Sequence, residues 1–217
     1  MRSTIYKIEW LLLVFFYMNT CYSQTEWDLK KDKDGIKVYT SKLQDSKFNT
    51  IKVSCKLKGS LSSLAAILLQ PALQTEWVEA TKTSILIKRL AANHIYYYNI
   101  VSMPWPIMNR DMVIDMLIKQ DTLSKKMTIH ANSIDKIKPE IPGLVRMPLS
   151  QATWEIIPIG LNRIQVEYTL KINPGGGIPA WVVNMFISKV PYETFHSLSK
   201  IIQENRFQKQ QFDFIKD

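Results

Sequence analysis

Residues 163–202 read RIQVEYTLKINPGGGIPAWVVNMFISKVPYETFHSLSKII. The first part alternates strictly: Ile164, Val166, Tyr168, Leu170 and Ile172 fall on one side, Gln165, Glu167 and Lys171 on the other. A period of two with one dry and one wet face predicts a strand over 163–173 in an antiparallel sheet. Pro174-Gly175-Gly176-Gly177 breaks that strand, and the glycines are expected to form a strand-to-helix turn needing positive φ. The period then changes. Ile178, Trp181, Val182, Met185 and Phe186 recur at helical spacing, and Phe195, Leu198, Ile201 and Ile202 continue the stripe. Pro179 suits a helix start, and Pro191 is expected to kink or interrupt the helix. A one-sided sheet and a one-sided helix adjoin in the chain, and each has an apolar face that the other can cover.

Working outward, the same alternation recurs upstream. In 48–59, Ile51, Val53, Cys55 and Leu57 share one face, and Lys52, Ser54, Lys56 and Lys58 the other. Short strands at 27–31 and 36–41 flank the turn signal Asp32-Lys33-Asp34-Gly35. Ser60 is placed to cap a helix carrying Leu61, Leu64, Ala65, Leu68 and Leu69, and Pro71 opens a second short helix with Leu73, Trp77 and Val78. Strands follow at 84–91, 94–102, 110–120, 126–134 and 144–157, the last long and less regular. The order is strands, two short helices, more strands, then one long helix. That predicts an α+β fold in which a curved antiparallel sheet wraps a long C-terminal helix, with room for an internal apolar cavity. No linker or internal repeat divides it. Residues 205–217 are polar and are expected to fray, so 207–217 reads as a polar C-terminal tail.

The N-terminus is set apart from this pattern. Arg2 and Lys7 precede the apolar run Trp10-Leu11-Leu12-Leu13-Val14-Phe15-Phe16-Tyr17-Met18, and Cys21-Tyr22-Ser23 supplies small residues two apart. These are the parts of a secretory signal peptide, 1–23, cut after Ser23. The run would make about 14 Å of helix against a bilayer core of ~30 Å, too short to span it. The expected address is periplasmic or secreted, with the working domain at 24–206. Cleavage removes Cys21 and leaves Cys55 alone, a small hydrophobe on an inward strand face. The net charge of +9 falls to +8, because the removed segment holds Arg2, Lys7 and Glu9.

Composition and spacing exclude several chemistries. With 46% hydrophobic and 22% charged residues the chain is globular. His94, His130 and His196 are scattered, and HExxH and CxxC are absent, so no metal or cofactor is expected. No GxSxG elbow occurs, and no Lys-Ser or Lys-Thr pair follows the glycine run as a P-loop would require. Asp111 and Asp115 share a strand face about 13 Å apart, too far for a paired-carboxylate site, and are expected on a solvated face. Basic residues are spread without a reading motif, and export disfavours nucleic acid. An anionic membrane surface is the expected use of the positive charge.

Six segments occur together in order: Trp27 with Gly35-Ile36-Lys37-Val38-Tyr39, Glu76-Trp77, the tyrosine-rich strand Tyr96-Tyr97-Tyr98, Pro104-Trp105-Pro106 running to Arg110-Asp111, Val145-Arg146, and Gly177-Ile178-Pro179-Ala180-Trp181-Val182-Val183-Asn184. Over 27–198 the chain resembles the StAR-related lipid transfer (START) family. The resemblance implies a helix-grip fold, a sheet gripping a C-terminal helix over a lipid-sized cavity. It implies a bound apolar or amphipathic lipid (sterol, phospholipid or similar), with no cofactor and no catalysis. By position, Pro104, Trp105, Pro106, Ile107 and Met108 match the loop at the cavity entrance, where membrane contact is expected, and 178–186 matches the start of the lid helix.

The lining expected from strand parity and from the resemblance comprises Tyr97, Arg110, Met112, Ile114, Met116, Met147, Trp154, Tyr168, Trp181, Met185 and Phe186. Methionine adapts to varied chains. Arg110 shares the parity of Met112 and Ile114, so it is expected to point inward, either holding an anionic headgroup or pairing with a neighbouring carboxylate. Shielding a 16-carbon chain from water is worth on the order of 13 kcal/mol, which an apolar lining would supply. The expected protein is an exported, monomeric, non-catalytic lipid binder or carrier that touches membranes transiently. The alternative is a cyclase or aromatase on the same scaffold acting on an apolar polyketide-like substrate.

Overall fold

A computed structural model describes residues 26–42, 49–135 and 137–217. The proposed signal peptide lies outside the described residues.

One ten-stranded sheet dominates. Its strands are β1 (Asp28–Lys33), β2 (Ile36–Lys42), β3 (Asn49–Leu57), β4 (Thr81–Ala91), β5 (His94–Val101), β6 (Asn109–Gln120), β7 (Met127–Ser133), β8 (Leu144–Arg146), β9 (Leu149–Pro158) and β10 (Ile164–Asn173). The spatial order is β1-β2-β3-β10-β9-β7-β6-β5-β4, antiparallel throughout, with β8 alone added in parallel to β6. β10 is central, paired with β3 on one side and β9 on the other. The sheet's inner face carries the apolar sets read from the sequence. Val53, Ile118, Ile129, Ile156 and Val166 are wholly buried, and Cys55 is buried beside them.

Between β3 and β4 lie helix α1 (Leu61–Leu68), a 3₁₀ turn (Pro71–Leu73) and the single-turn helix α2 (Gln74–Trp77). Ser60 caps α1, its Oγ accepting from the Ser63 amide at 3.1 Å. After β10, the long helix α3 (Ala180–Ile201) crosses the concave face, packing on β1, β2, β3 and α2. It runs through Pro191 without interruption, so the expected break does not occur. The proline removes one N–H from the ladder, and packing against the sheet holds the helix together.

Two expectations are corrected. The stretch 144–157 is two strands, because Pro148 cannot donate to a ladder and the chain changes partner there, from β6 to β7 and β10. The segment expected to fray is docked. Helix α4 (Asn205–Gln208) carries Phe207, which is buried in the main core, and Ile215 is buried there too. Asp217 Oδ1 accepts from the Ser62 amide at 2.8 Å, at the otherwise unsatisfied first turn of α1.

Candidate functional site: an apolar cavity under the C-terminal helix

Two adjoining chambers separate the concave face of the sheet from α3. The first, about 190 Å³, is walled by residues of the sheet, among them Tyr97 and Asn99 on β5, Met112, Ile114 and Met116 on β6, Ala131 on β7, Ala152 and Trp154 on β9, and Tyr168 and Leu170 on β10. Phe186, Val190, Thr194 and Phe195 of α3 form its roof, and Gln74 and Trp77 of α2 close one end. The second, about 280 Å³, lies under the start of α3, against Ile178, Val182, Val183 and Ile187, with Met103, Pro174 and Gly176. Ile51, Met147, Ile172 and Phe186 line both, so the chambers share a wall. The gap persists because a curved sheet and a straight helix do not close flush, and aromatic groups prop it. Trp154 meets Tyr168, Phe195 and Trp77 at ring-centroid distances of 4.7, 5.3 and 6.5 Å.

The structure brings Tyr97, Met112, Ile114, Met116, Met147, Trp154, Tyr168 and Phe186 together around the first chamber. Trp181 and Met185 do not line it. Trp181 is half exposed, because Val182 and Phe186, one turn apart, take the face turned to the sheet and leave Trp181 about 100° away. None of the loop residues Pro104, Trp105, Pro106, Ile107 and Met108 lines either chamber, but their neighbour Met103 lines the second. The Trp105–Pro106 peptide is cis, and Trp105 stands 91% exposed.

Arg110 has a different role from either one expected. It is buried, and its guanidinium is occupied by backbone: Nε and Nη2 donate to the carbonyls of Pro174 and Gly175 at 3.3 and 3.2 Å, and Nη1 donates to the carbonyl of Met108. Burial lowers its pKa. Gly175 and Gly176 adopt φ of 68° and 65°, the left-handed turn that the glycine run predicted, and this turn delivers the carbonyls to Arg110. The arginine therefore ties the loop before β6 to the loop before α3 and lines neither chamber.

Asp111, expected on a wet face, is also buried. Arg146 holds it, and Tyr98 donates to its Oδ2 at 2.9 Å. Burial, with the Asp111 carboxylate beside it, pushes the Tyr98 hydroxyl up.

The cavity walls are nearly free of charge. Among the described lining residues of both chambers, Glu79 alone has a carboxylate, and it is exposed. The remaining acidic groups are phenols. Burial pushes Tyr97 up to about 12, with a hydrogen bond from Gln74 acting the other way, and burial raises Tyr168 as well. Parity alone points Asn99 inward with Tyr97. Gln74 gives no such signal, since a single turn of helix has no readable period.

A curved antiparallel sheet closed by a C-terminal helix over an apolar cavity defines the helix-grip class. Within that class the chain belongs to the START domain family, whose model matches residues 15–207. It is 30% identical over 173 residues to an uncharacterised protein of Pseudomonas aeruginosa, covering 80% of this chain and 85% of that one. It is 28% identical over 167 residues to the phosphatidylcholine transfer protein of Bos taurus, covering 75% and 77%. Among solved structures, a STAR-related lipid transfer protein from Xanthomonas axonopodis superposes with a TM-score of 0.75 at 26% identity, covering 82% of this chain and 99% of that one.

Proposed function

We propose that this protein is a non-catalytic lipid carrier that holds one lipid between its sheet and α3. The observation that carries this reading is the pair of adjoining apolar chambers between the sheet and α3. The two transfer proteins it resembles, bovine and bacterial, support the same assignment. The wall chemistry favours holding over catalysis. Its phenols stay protonated at neutral pH and cannot serve as bases, and catalysis would need convergent acid and base groups inside.

Access to the chambers requires the 104–108 loop and the start of α3 to part. The exposed Trp105 and Trp181 on those two segments would meet a membrane surface, where tryptophan is favoured. The apolar run 10–18 supports export, with loading and delivery outside the cytoplasm.

Native mass spectrometry of the protein purified from its own host tests the carrier reading. The expected result is a population carrying one intact lipid, at a polypeptide mass lacking residues 1–23. A protein that arrives empty and takes up no lipid from vesicles overturns it.

A further inference from the structure

Among the described residues, three buried side-chain atoms have no hydrogen-bond partner: Trp77 Nε1, Ser84 Oγ and Asn99 Oδ1. They come from three elements that pack against one another, α2, β4 and β5. Asn99 Nδ2 donates to Gln74 Oε1 at 2.7 Å, Trp77 lies one helical turn beyond Gln74 on α2, and Ser84 is the cross-strand partner of Asn99. Gln74, Trp77 and Asn99 are each at least nine-tenths buried, and all three line the first chamber. Leaving such atoms unpartnered is costly, and clustering there points to a group that satisfies them together.

We propose that this corner of the first chamber seats the hydroxyl of an uncharged lipid. This rests on the carrier reading and adds the chemical class of the ligand. Gln74 presents its carbonyl oxygen to the Asn99 amine, so Asn99 Oδ1 is left as an open acceptor. Trp77 Nε1 is an open donor. A hydroxyl accepts from the indole and donates to the amide at once. An ether or ester oxygen can only accept, and would leave Asn99 unsatisfied.

The rest of the wall excludes a charged head from the corner. No lysine, arginine or histidine lines either chamber, and Arg110 is committed to backbone carbonyls. A phosphate there would be buried without a countercharge. The hydrocarbon part then runs along the methionine face of β6 towards the second chamber.

Three single-chain probes separate the possibilities by native mass spectrometry titration of delipidated protein: 1-hexadecanol, its methyl ether and hexadecylphosphocholine. The alcohol is expected to bind at least about tenfold more tightly than the ether. Asn99→Leu should bring that ratio close to one, because only the alcohol can donate to Asn99 Oδ1, whereas Trp77→Phe removes a donor that both probes accept from and should weaken both. Trp77→Phe keeps an aromatic side chain there, and the weaker binding of both probes decides the matter if the Asn99 variant does not fold. Equal affinity for alcohol and ether in the unaltered protein overturns the seat, as it would if a resident water bridged the corner. So does a ratio that survives Asn99→Leu, an alcohol affinity unchanged by Trp77→Phe, or a phosphocholine that outcompetes the alcohol. If all three probes bind equally, the carrier reading stands and the seat falls. If none binds and vesicle lipid is not taken up either, both fall.

Discussion

Arg146 grips both oxygens of the Asp111 carboxylate, with Nε 3.0 Å from Oδ1 and Nη2 3.0 Å from Oδ2. The two residues face each other across the parallel β6–β8 pair, and the next amide, Met147 N, donates to the Asp111 carbonyl at 2.9 Å. The pair therefore fixes the segment that carries Met147 into both chambers. Asp111 is almost completely buried, so removing its charge strands a guanidinium. Asp111→Asn should cost about 3 kcal/mol, lowering Tm by on the order of 10 °C in a thermal melt. Adding Arg146→Met to that variant should recover part of the loss, because the stranded charge is then gone.

The docked C-terminus gives a second stability prediction. Phe207 is wholly buried against the core, and the Ser63 hydroxyl donates to its carbonyl at 3.1 Å. Phe207→Ala should destabilise by about 3–5 kcal/mol, measured by urea denaturation, despite lying near the chain end. A loss below ~0.5 kcal/mol would mean that this segment frays after all.

These two sites mark where sequence patterns stop being informative. Alternation located the strands because each has one inner face, as on β10 from Ile164 to Ile172. It failed at Asp111 because an outward side chain is wet only if nothing lies over it. Here the 138–139 carbonyls and Arg146 cover that face, and Lys138 sits over the Tyr98 ring at 4.9 Å. Phe207, Phe212, Phe214 and Ile215 follow no period, so their burial is a tertiary fact without local trace. Strand parity pointed Met112, Ile114, Met116 and Tyr168 at the first chamber, but it pointed Arg110 inward as well, and that side chain is taken up by backbone carbonyls. The corner of Gln74, Trp77 and Asn99 was not legible, since it joins a one-turn helix to a strand more than twenty residues away.

Alkaline conditions should expose the buried acids. Burial raises Cys55 from 9.0 to about 12 and Tyr97 from 10.0 to about 12. Both are raised, so the folded state holds these protons more tightly than the unfolded state. Their stabilisation is complete below pH 9 and is lost as the pH climbs towards 12. Stability by urea melt should be level across pH 7–8.5 and fall above it, with Cys55→Val reducing the slope. At pH 8 the native thiol should react with a disulfide reagent at least about a hundredfold more slowly than in denaturant.

Filling the cavity should separate binding from folding. Ala131 and Ala152 face each other across β7 and β9 and both line the first chamber. Ala152→Met extends a side chain into existing space, so Tm should hold or rise, while lipid capacity in native mass spectrometry should fall at least about tenfold. A variant that keeps full capacity would place the ligand elsewhere.

The proposed docking to membranes rests on three exposed apolar side chains of the 104–108 loop and the start of α3. Trp105 is 91% exposed, Met108 56% and Trp181 55%. Arg110 binds carbonyls on both sides, at Met108 and at Pro174 and Gly175, and so holds the tryptophan loop beside the turn that leads into α3. Burying one indole in an interface is worth of order 1.5 kcal/mol, about tenfold in partitioning. Trp105→Ala should therefore reduce co-sedimentation with anionic vesicles about tenfold, and adding Trp181→Ala should reduce it further. Binding should also weaken with salt, because the excess of basic residues, +8 without residues 1–23, would be attracted to an anionic surface. Neither substitution touches the chamber walls, so a preloaded lipid should stay bound in both variants while its exchange with vesicles slows. Unchanged sedimentation of the double variant would move the docking surface away from these two segments.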